Sequence, residues 1–156
     1  LVKWKRVDLL IEAFRKVAAD YPEAELVIVG VGPELDNLRQ QANDLQLTDS
    51  IRFIGAVYDP KTLGAYMNES SIYVLAGMGG LSINDAMTYG MPVLCAADSL
   101  ADRIREMFES PERCKEMGKE SERMIREKIN METVSERYLK AFQEILRLTH
   151  SCDSDN

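Results

Sequence analysis

Apolar residues recur in two alternating rhythms along this chain. Val7, Leu10, Ile11, Phe14, Val17 and Ala18 fall three and four positions apart, which predicts one face of an amphipathic helix. Asp8 and Glu12 load its first half with negative charge, where a helix dipole favours it, and Tyr21-Pro22 stops it. Glu25 to Gly30 is a short apolar run rich in β-branched residues, the pattern of a buried strand. Pro33-Glu34 opens the next helix, with Leu35, Leu38, Ala42 and Leu45 on one face. Ile51 to Gly55 is a strand, and Asp59-Pro60 caps a helix carrying Leu63, Tyr66 and Met67. A strand over 71–76, a helix over 81–89 and a strand over 91–96 follow. The remainder is helical: one piece over about 100–108, one from Ser110-Pro111 toward Ile129, and one from Asn130 with Val134, Tyr138, Phe142 and Ile145 on one face. The small polar residues Ser151 to Asn156 predict a loose tail beyond a domain spanning 1–150.

Strands alternating with helices predict an α/β domain, a parallel sheet with helices on both faces. Ligands of such sheets bind outside the carboxyl ends of the strands. Those ends are Gly30-Val31-Gly32, Gly55 to Tyr58, Ala76 to Gly80 and Ala96-Ala97-Asp98, all small enough to leave room. No internal repeat, linker or low-complexity segment interrupts the pattern.

Composition narrows the chemistry. A chain of 156 residues suits one domain that buries about 70% of its unfolded surface without disulfides. The net charge of −7 argues against nucleic acid or a broad anionic membrane as partner, while leaving room for one local basic pocket. Cys95, Cys114 and Cys152 are odd in number and widely spaced, which points to a reducing, cytoplasmic setting. The single histidine, His150, excludes a Ser-His-Asp site or a histidine-rich metal site within the domain, and no metal or cofactor is expected. No apolar run reaches the roughly 18 residues of a membrane span, and no signal peptide opens the sequence.

The segment from Ala76 to Val93 carries the strongest chemical signal. A strand runs into Gly77, Gly79 and Gly80, a helix follows at once, and Gly90 ends it before Met91-Pro92-Val93. A glycine loop feeding a helix start lets main-chain amides approach an anion. The plainer reading is a tight turn that packs helix on sheet. No Gly-Lys-Ser/Thr follows, so this is no Walker loop. Ser82-x-x-Asp85 reads either as a capping box or as a phosphate-reaching hydroxyl followed by a ribose-binding carboxylate. Trp4, Lys5 and Arg6 form a basic cluster, either solvated or placed to neutralise a diphosphate. Gly30-x-Gly32 lacks the third small residue of a dinucleotide fingerprint, because Leu35 stands there.

Taken together, these residues resemble the carboxyl-terminal, donor-binding domain of group 1 retaining glycosyltransferases of GT-B architecture. The resemblance runs through Lys5, Val7 to Phe14, Leu26 to Glu34, Ile51 to Gly55, Gly80 to Met87 and Gly90 to Val93. It implies a Rossmann-like sheet forming one half of that architecture. It also implies a diphosphate held by Lys5 and by the main chain at Gly79, Gly80, Leu81 and Ser82. A ribose would bind at Asp85, a base near Ala56 and Val57, and a donor sugar beside Gly77 and Met78. The family's clamp also has an arginine, which would precede Leu1. Its signature is Glu, seven residues, then Glu; here those positions hold Gly77 and Asp85, so the first carboxylate is absent and no catalytic residue is assigned. Roughly 20 residues that the family carries near Asp98-Ser99-Leu100 are also absent, leaving either a trimmed chain or one whose disordered loop is unrecorded.

The expected function is the donor half of a transferase that moves a sugar from a nucleotide diphosphate sugar to an acceptor hydroxyl with retention, in polysaccharide biosynthesis. The acceptor half is missing, so this piece alone is expected to be inactive. Any peripheral membrane association would depend on that missing half. A degenerate nucleotide-sugar-binding or scaffold domain, or a GT-B epimerase, is the alternative.

Overall fold

The computed structural model describes residues 1–95 and 99–152. Helix α1 (Val7–Ala18) is its hub. Leu10, Ala13 and Val17 form one stripe of α1, and Ile11 and Phe14 form an adjacent stripe. The second stripe packs with Ile28 of β1 (Leu26–Val29), Leu38 and Ala42 of α2 (Leu35–Asp44), Leu47, and Ile51 of β2 (Ile51–Gly55). The first packs with Ala76, just past β3 (Tyr73–Leu75), and with Leu100, Ala101 and Ile104 of α5 (Leu100–Glu109). One helix therefore serves two core clusters, and Leu26 touches both.

The remaining elements are α3 (Pro60–Glu69), α4 (Ser82–Thr88), β4 (Val93–Cys95), α6 (Pro111–Lys128) and α7 (Met131–Cys152). Strands β1 and β2 pair in parallel, Leu26 opposite Ile51, and β3 and β4 pair in parallel, Tyr73 opposite Val93. This is the α/β class with helices on both faces that the alternation of elements predicts. Among the described residues the strands form two separate pairs, β1-β2 and β3-β4. Sequence periodicity identifies strands but carries no information on which edges meet.

Local chemistry explains several boundaries. Asp59 caps α3 by accepting the Thr62 N–H at 2.8 Å and the Thr62 hydroxyl at 2.7 Å, with Pro60 in the first turn. Arg105 ties α5 to the end of α1 through Asp20 (2.7 Å) and the Lys16 carbonyl (2.8 Å). Tyr21 meets Phe108 edge to face at 5.2 Å beside them. Helix α7 includes Ser151 and Cys152 of the expected tail; the other tail residues, and the expected strand end Ala96-Ala97-Asp98, lie outside the described residues. Among the described residues, no helix is long and apolar enough to cross a membrane.

Candidate functional site

Residues 1–5 cross the carboxyl edge of the fold from one strand pair to the other. The Leu1 amine donates to the Val31 carbonyl beyond β1, and Glu34 N–H donates to the Leu1 carbonyl at 3.3 Å. A 3-10 turn over Lys3–Lys5 follows, and Arg6 leaves it at φ 49° to start α1. Arg6 pairs with Asp8 at 3.2 Å, so its charge stays at the helix start. At the other end of the crossing, the Trp4 carbonyl accepts the Met78 N–H at 3.0 Å. The Lys5 ammonium donates to the carbonyls of Met78 and Gly79, each at 3.1 Å. An ammonium has three donors, so two protein carbonyls leave one free for an anion.

Gly77 explains how closely these two segments meet. A β-carbon there would lie on the Trp4 carbonyl oxygen and 2.5 Å from the Lys5 carbonyl carbon. Both obstacles are main chain, which cannot swing aside. The expectation that a carboxylate is absent at this position thus has a structural counterpart: no side chain fits while residues 4 and 5 lie where they do.

The loop beyond Gly77 offers donors. Among the described residues, the N–H groups of Gly79, Gly80, Leu81 and Ser82 have no backbone acceptor, whereas those of Ile83, Asn84 and Asp85 turn back to Gly80 and Leu81. Gly79, Gly80 and Leu81 are exposed. A β-carbon on Gly80 would lie 2.9 Å from the Lys5 ammonium, so this row of amides borders that cation. Unpaired amides beside a positive charge are a donor set of the kind that accommodates an anion.

The capping box is not formed. Leu81 is the N-cap residue of α4, Ser82 is its first helical residue, and no side chain caps the helix. Ser82 Oγ instead accepts the Tyr73 hydroxyl at 2.8 Å. Burial pushes the Tyr73 phenol up from its ordinary value, and the Ser82 bond offsets part of that rise. The phenol therefore keeps its proton at neutral pH and donates it to Ser82. Ser82, accepting on one side, has its own proton free to donate outward. Tyr73 was not among the residues singled out from the sequence; the available signal was an aromatic hydroxyl in an otherwise aliphatic strand ending at the glycine loop. Asp85 is exposed one turn into α4.

Ala56 and Val57 follow β2 at the same carboxyl edge, Ala56 exposed and Val57 half-buried. They stand on the other strand pair, and among the described residues nothing bonds them to Lys5 or the glycine loop. The structure thus brings Lys5, Gly77, Met78, Gly79, Gly80, Leu81 and Ser82 together, sets Asp85 one turn on, and leaves Ala56 and Val57 apart. Exposed Val31, Tyr58, Met78 and Leu81 give this edge an apolar surface beside the cation. An open hollow lined by Pro60, Lys61, Gly64, Ala65, Asn68 and Tyr89 contains none of these site residues.

Comparison with known proteins bears on the same segment. A family model described as "Glycosyl transferases group 1" matches residues 1–99. An uncharacterized glycosyltransferase of Haemophilus influenzae is 31% identical over 115 residues, which cover 72% of this chain and 31% of that protein. A mutant of S. aureus TarM, in complex with fondaparinux, α-GlcNAc-glycerol and UDP, superposes with a TM-score of 0.81 at 23% identity, covering 91% of this chain and 34% of TarM. The C-terminal domain of a group 1 glycosyl transferase family protein from Francisella tularensis superposes with a TM-score of 0.73 at 20% identity, covering 84% of this chain and 83% of that domain. At these identities the two structures speak for the fold.

Proposed function

The chain belongs to the group 1 glycosyltransferases, and from that premise we propose that it is the donor-binding half of an enzyme that uses a nucleotide diphosphate sugar. One observation carries the reading: the Lys5 ammonium borders a row of unpaired amides from Gly79 to Ser82. A diphosphate would accept from those amides and from the Ser82 hydroxyl, while Lys5 offsets its charge. Such donors matter most when the diphosphate departs and its negative charge grows. Asp85 would accept from a ribose hydroxyl, and a base would lie on the apolar edge near Ala56 and Val57. UDP, which is bound to the TarM relative, is the first nucleotide to try. The sugar would pass to an acceptor hydroxyl with retention, on a companion half that this piece does not contain, so the 156-residue chain alone transfers nothing.

Calorimetry with UDP, GDP and ADP tests this reading. Lys5→Met removes a charge-assisted contact and weakens nucleoside diphosphate binding by about 1.5–3 kcal/mol, roughly 10- to 150-fold. Asp85→Ala weakens it less and leaves the melting temperature unchanged, because Asp85 caps nothing. Equal affinity of Lys5→Met and parent for all three nucleotides refutes the diphosphate assignment.

The glycine at position 77 favours a second reading, a degenerate domain that binds the nucleotide sugar without transfer. Release of free nucleotide together with a glycosylated product by a chain carrying both halves excludes it. Turnover by the 156-residue chain alone would overturn the incomplete-enzyme reading.

A further inference from the structure

Building on the diphosphate reading, we propose that Tyr73 is a positioning residue of the site: its phenol fixes the direction of the Ser82 hydroxyl, so that Ser82 presents its proton to a phosphate oxygen. The phenol reaches from β3 and donates to Ser82 Oγ at 2.8 Å. Both residues are half-buried, and among the described residues no carbonyl or carboxylate accepts the Ser82 proton. A lone serine hydroxyl turns among three staggered positions, donating or accepting in each. A phenol that donates to one lone pair ends that freedom, because the serine hydrogen cannot occupy the side from which the phenolic proton arrives. The Ser82 proton is left for an outside acceptor.

The fold itself does not call for this bond. Ile72, Val74, Leu75 and Ala76 around Tyr73 are aliphatic, and a phenylalanine ring would fill the same place in β3. Helix α4 is anchored by buried Ala86 and Met87 whichever way Ser82 turns. The position of Ser82 supplies the reason. It ends the row of unpaired amides that starts at Gly79 and that the Lys5 ammonium borders. Those amides and the ammonium are all donors. An uncommitted hydroxyl at the end of the row could turn a lone pair toward an anion; a fixed one adds one more donor.

The direction of the bond depends on Tyr73 keeping its proton. Burial raises the phenol above the ordinary tyrosine value, the Ser82 bond lowers it in part, and the negative charge of Asp85 raises it further. An ionised Tyr73 would accept from Ser82 and turn that proton inward; burial and Asp85 both oppose this state. The arrangement therefore favours a ligand rich in ionised acceptors, a nucleoside diphosphate, and offers nothing to a nucleoside without phosphate.

A double-mutant cycle tests the inference. UDP binding is measured by calorimetry, and uridine binding by NMR titration, for the 156-residue chain, Tyr73→Phe, Ser82→Ala and the double variant. Tyr73→Phe keeps the ring and should weaken UDP by roughly 3- to 10-fold, the worth of one neutral hydrogen bond. Ser82→Ala should weaken UDP at least as much. Adding Tyr73→Phe to Ser82→Ala should then change UDP affinity by less than about 2-fold, because the phenol acts only through the hydroxyl. Uridine affinity should hold within about 2-fold in all four forms; where uridine binds too weakly to follow, the cycle with UDP decides alone. A loss shared equally by UDP and uridine overturns the positioning role, because Tyr73 then merely shapes the fold. A Tyr73→Phe effect that persists in full beside Ser82→Ala overturns it as well. UDP affinity that falls with Lys5→Met but not with Tyr73→Phe overturns this inference and leaves the diphosphate reading standing, whereas a parent chain that binds no nucleoside diphosphate removes both.

Discussion

Replacing Gly77 with alanine separates close backbone approach from mere flexibility. The added carbon would sit 2.5 Å from the Lys5 carbonyl carbon and 2.6 Å from its oxygen. Carbon atoms rest about 3.5–4.0 Å apart, so the two segments must part by roughly 1 Å. That motion stretches the Met78–Trp4 hydrogen bond from 3.0 Å to about 4 Å, beyond useful range. Overpacking costs about 1–3 kcal/mol and the lost bond about 0.5–1.5 kcal/mol, offset by about 0.4–1 kcal/mol because alanine restricts the unfolded chain. The net is a loss of about 2 kcal/mol, which in a domain of this size lowers Tm by about 4–8 °C. Gly80→Ala is the control. Its added carbon meets only the Lys5 ammonium, at 2.9 Å, the end of a flexible side chain. Calorimetric melting should therefore show a clear drop for Gly77→Ala and a drop of under about 2 °C for Gly80→Ala. Equal Tm values for the two variants would refute the close-approach argument. The same reasoning predicts that Gly77→Glu does not install a useful carboxylate.

Two further perturbations probe the neighbourhood. Tyr73→Phe removes the donor that fixes Ser82 and should cost about 1 kcal/mol, or about 2–4 °C in Tm; UDP binding should weaken a few-fold by calorimetry, and unchanged binding would remove Tyr73 from the site. Asp59 is held below the ordinary aspartate range, first by its side-chain bond to Thr62 and then by the Thr62 N–H. A lowered folded value means that its stabilisation is present above about pH 4 and is lost as pH falls through that lowered value. Tm should therefore fall more steeply with acid in the parent than in Asp59→Asn, which keeps a capping oxygen but does not titrate; parallel curves would contradict this.

Much of the fold was legible because its signals are local. The Asp59-Pro60 start of α3 is a case: a cap residue and a proline act within one turn, and the structure shows both at work. The stripes of α1 were equally plain, since helical geometry alone aligns Leu10 with Ala13 and Val17. Ser82-x-x-Asp85 shows the limit. The local pattern fits a capping box, but a half-buried phenol from a neighbouring strand claims the Ser82 hydroxyl. Nothing within one turn of Ser82 announces that partner.

The order and type of the elements, the glycine loop and the small strand ends belong to the sequence itself, because periodicity and turn chemistry act over a few residues. Only the tertiary structure decided that Lys5 reaches carbonyls 73 and 74 positions away, that Gly77 lies against the main chain of residues 4 and 5, and that the strands form two pairs. Those contacts depend on how α1 folds back over both strand pairs, and burial of its two apolar stripes constrains that path without prescribing which main-chain edges end up side by side.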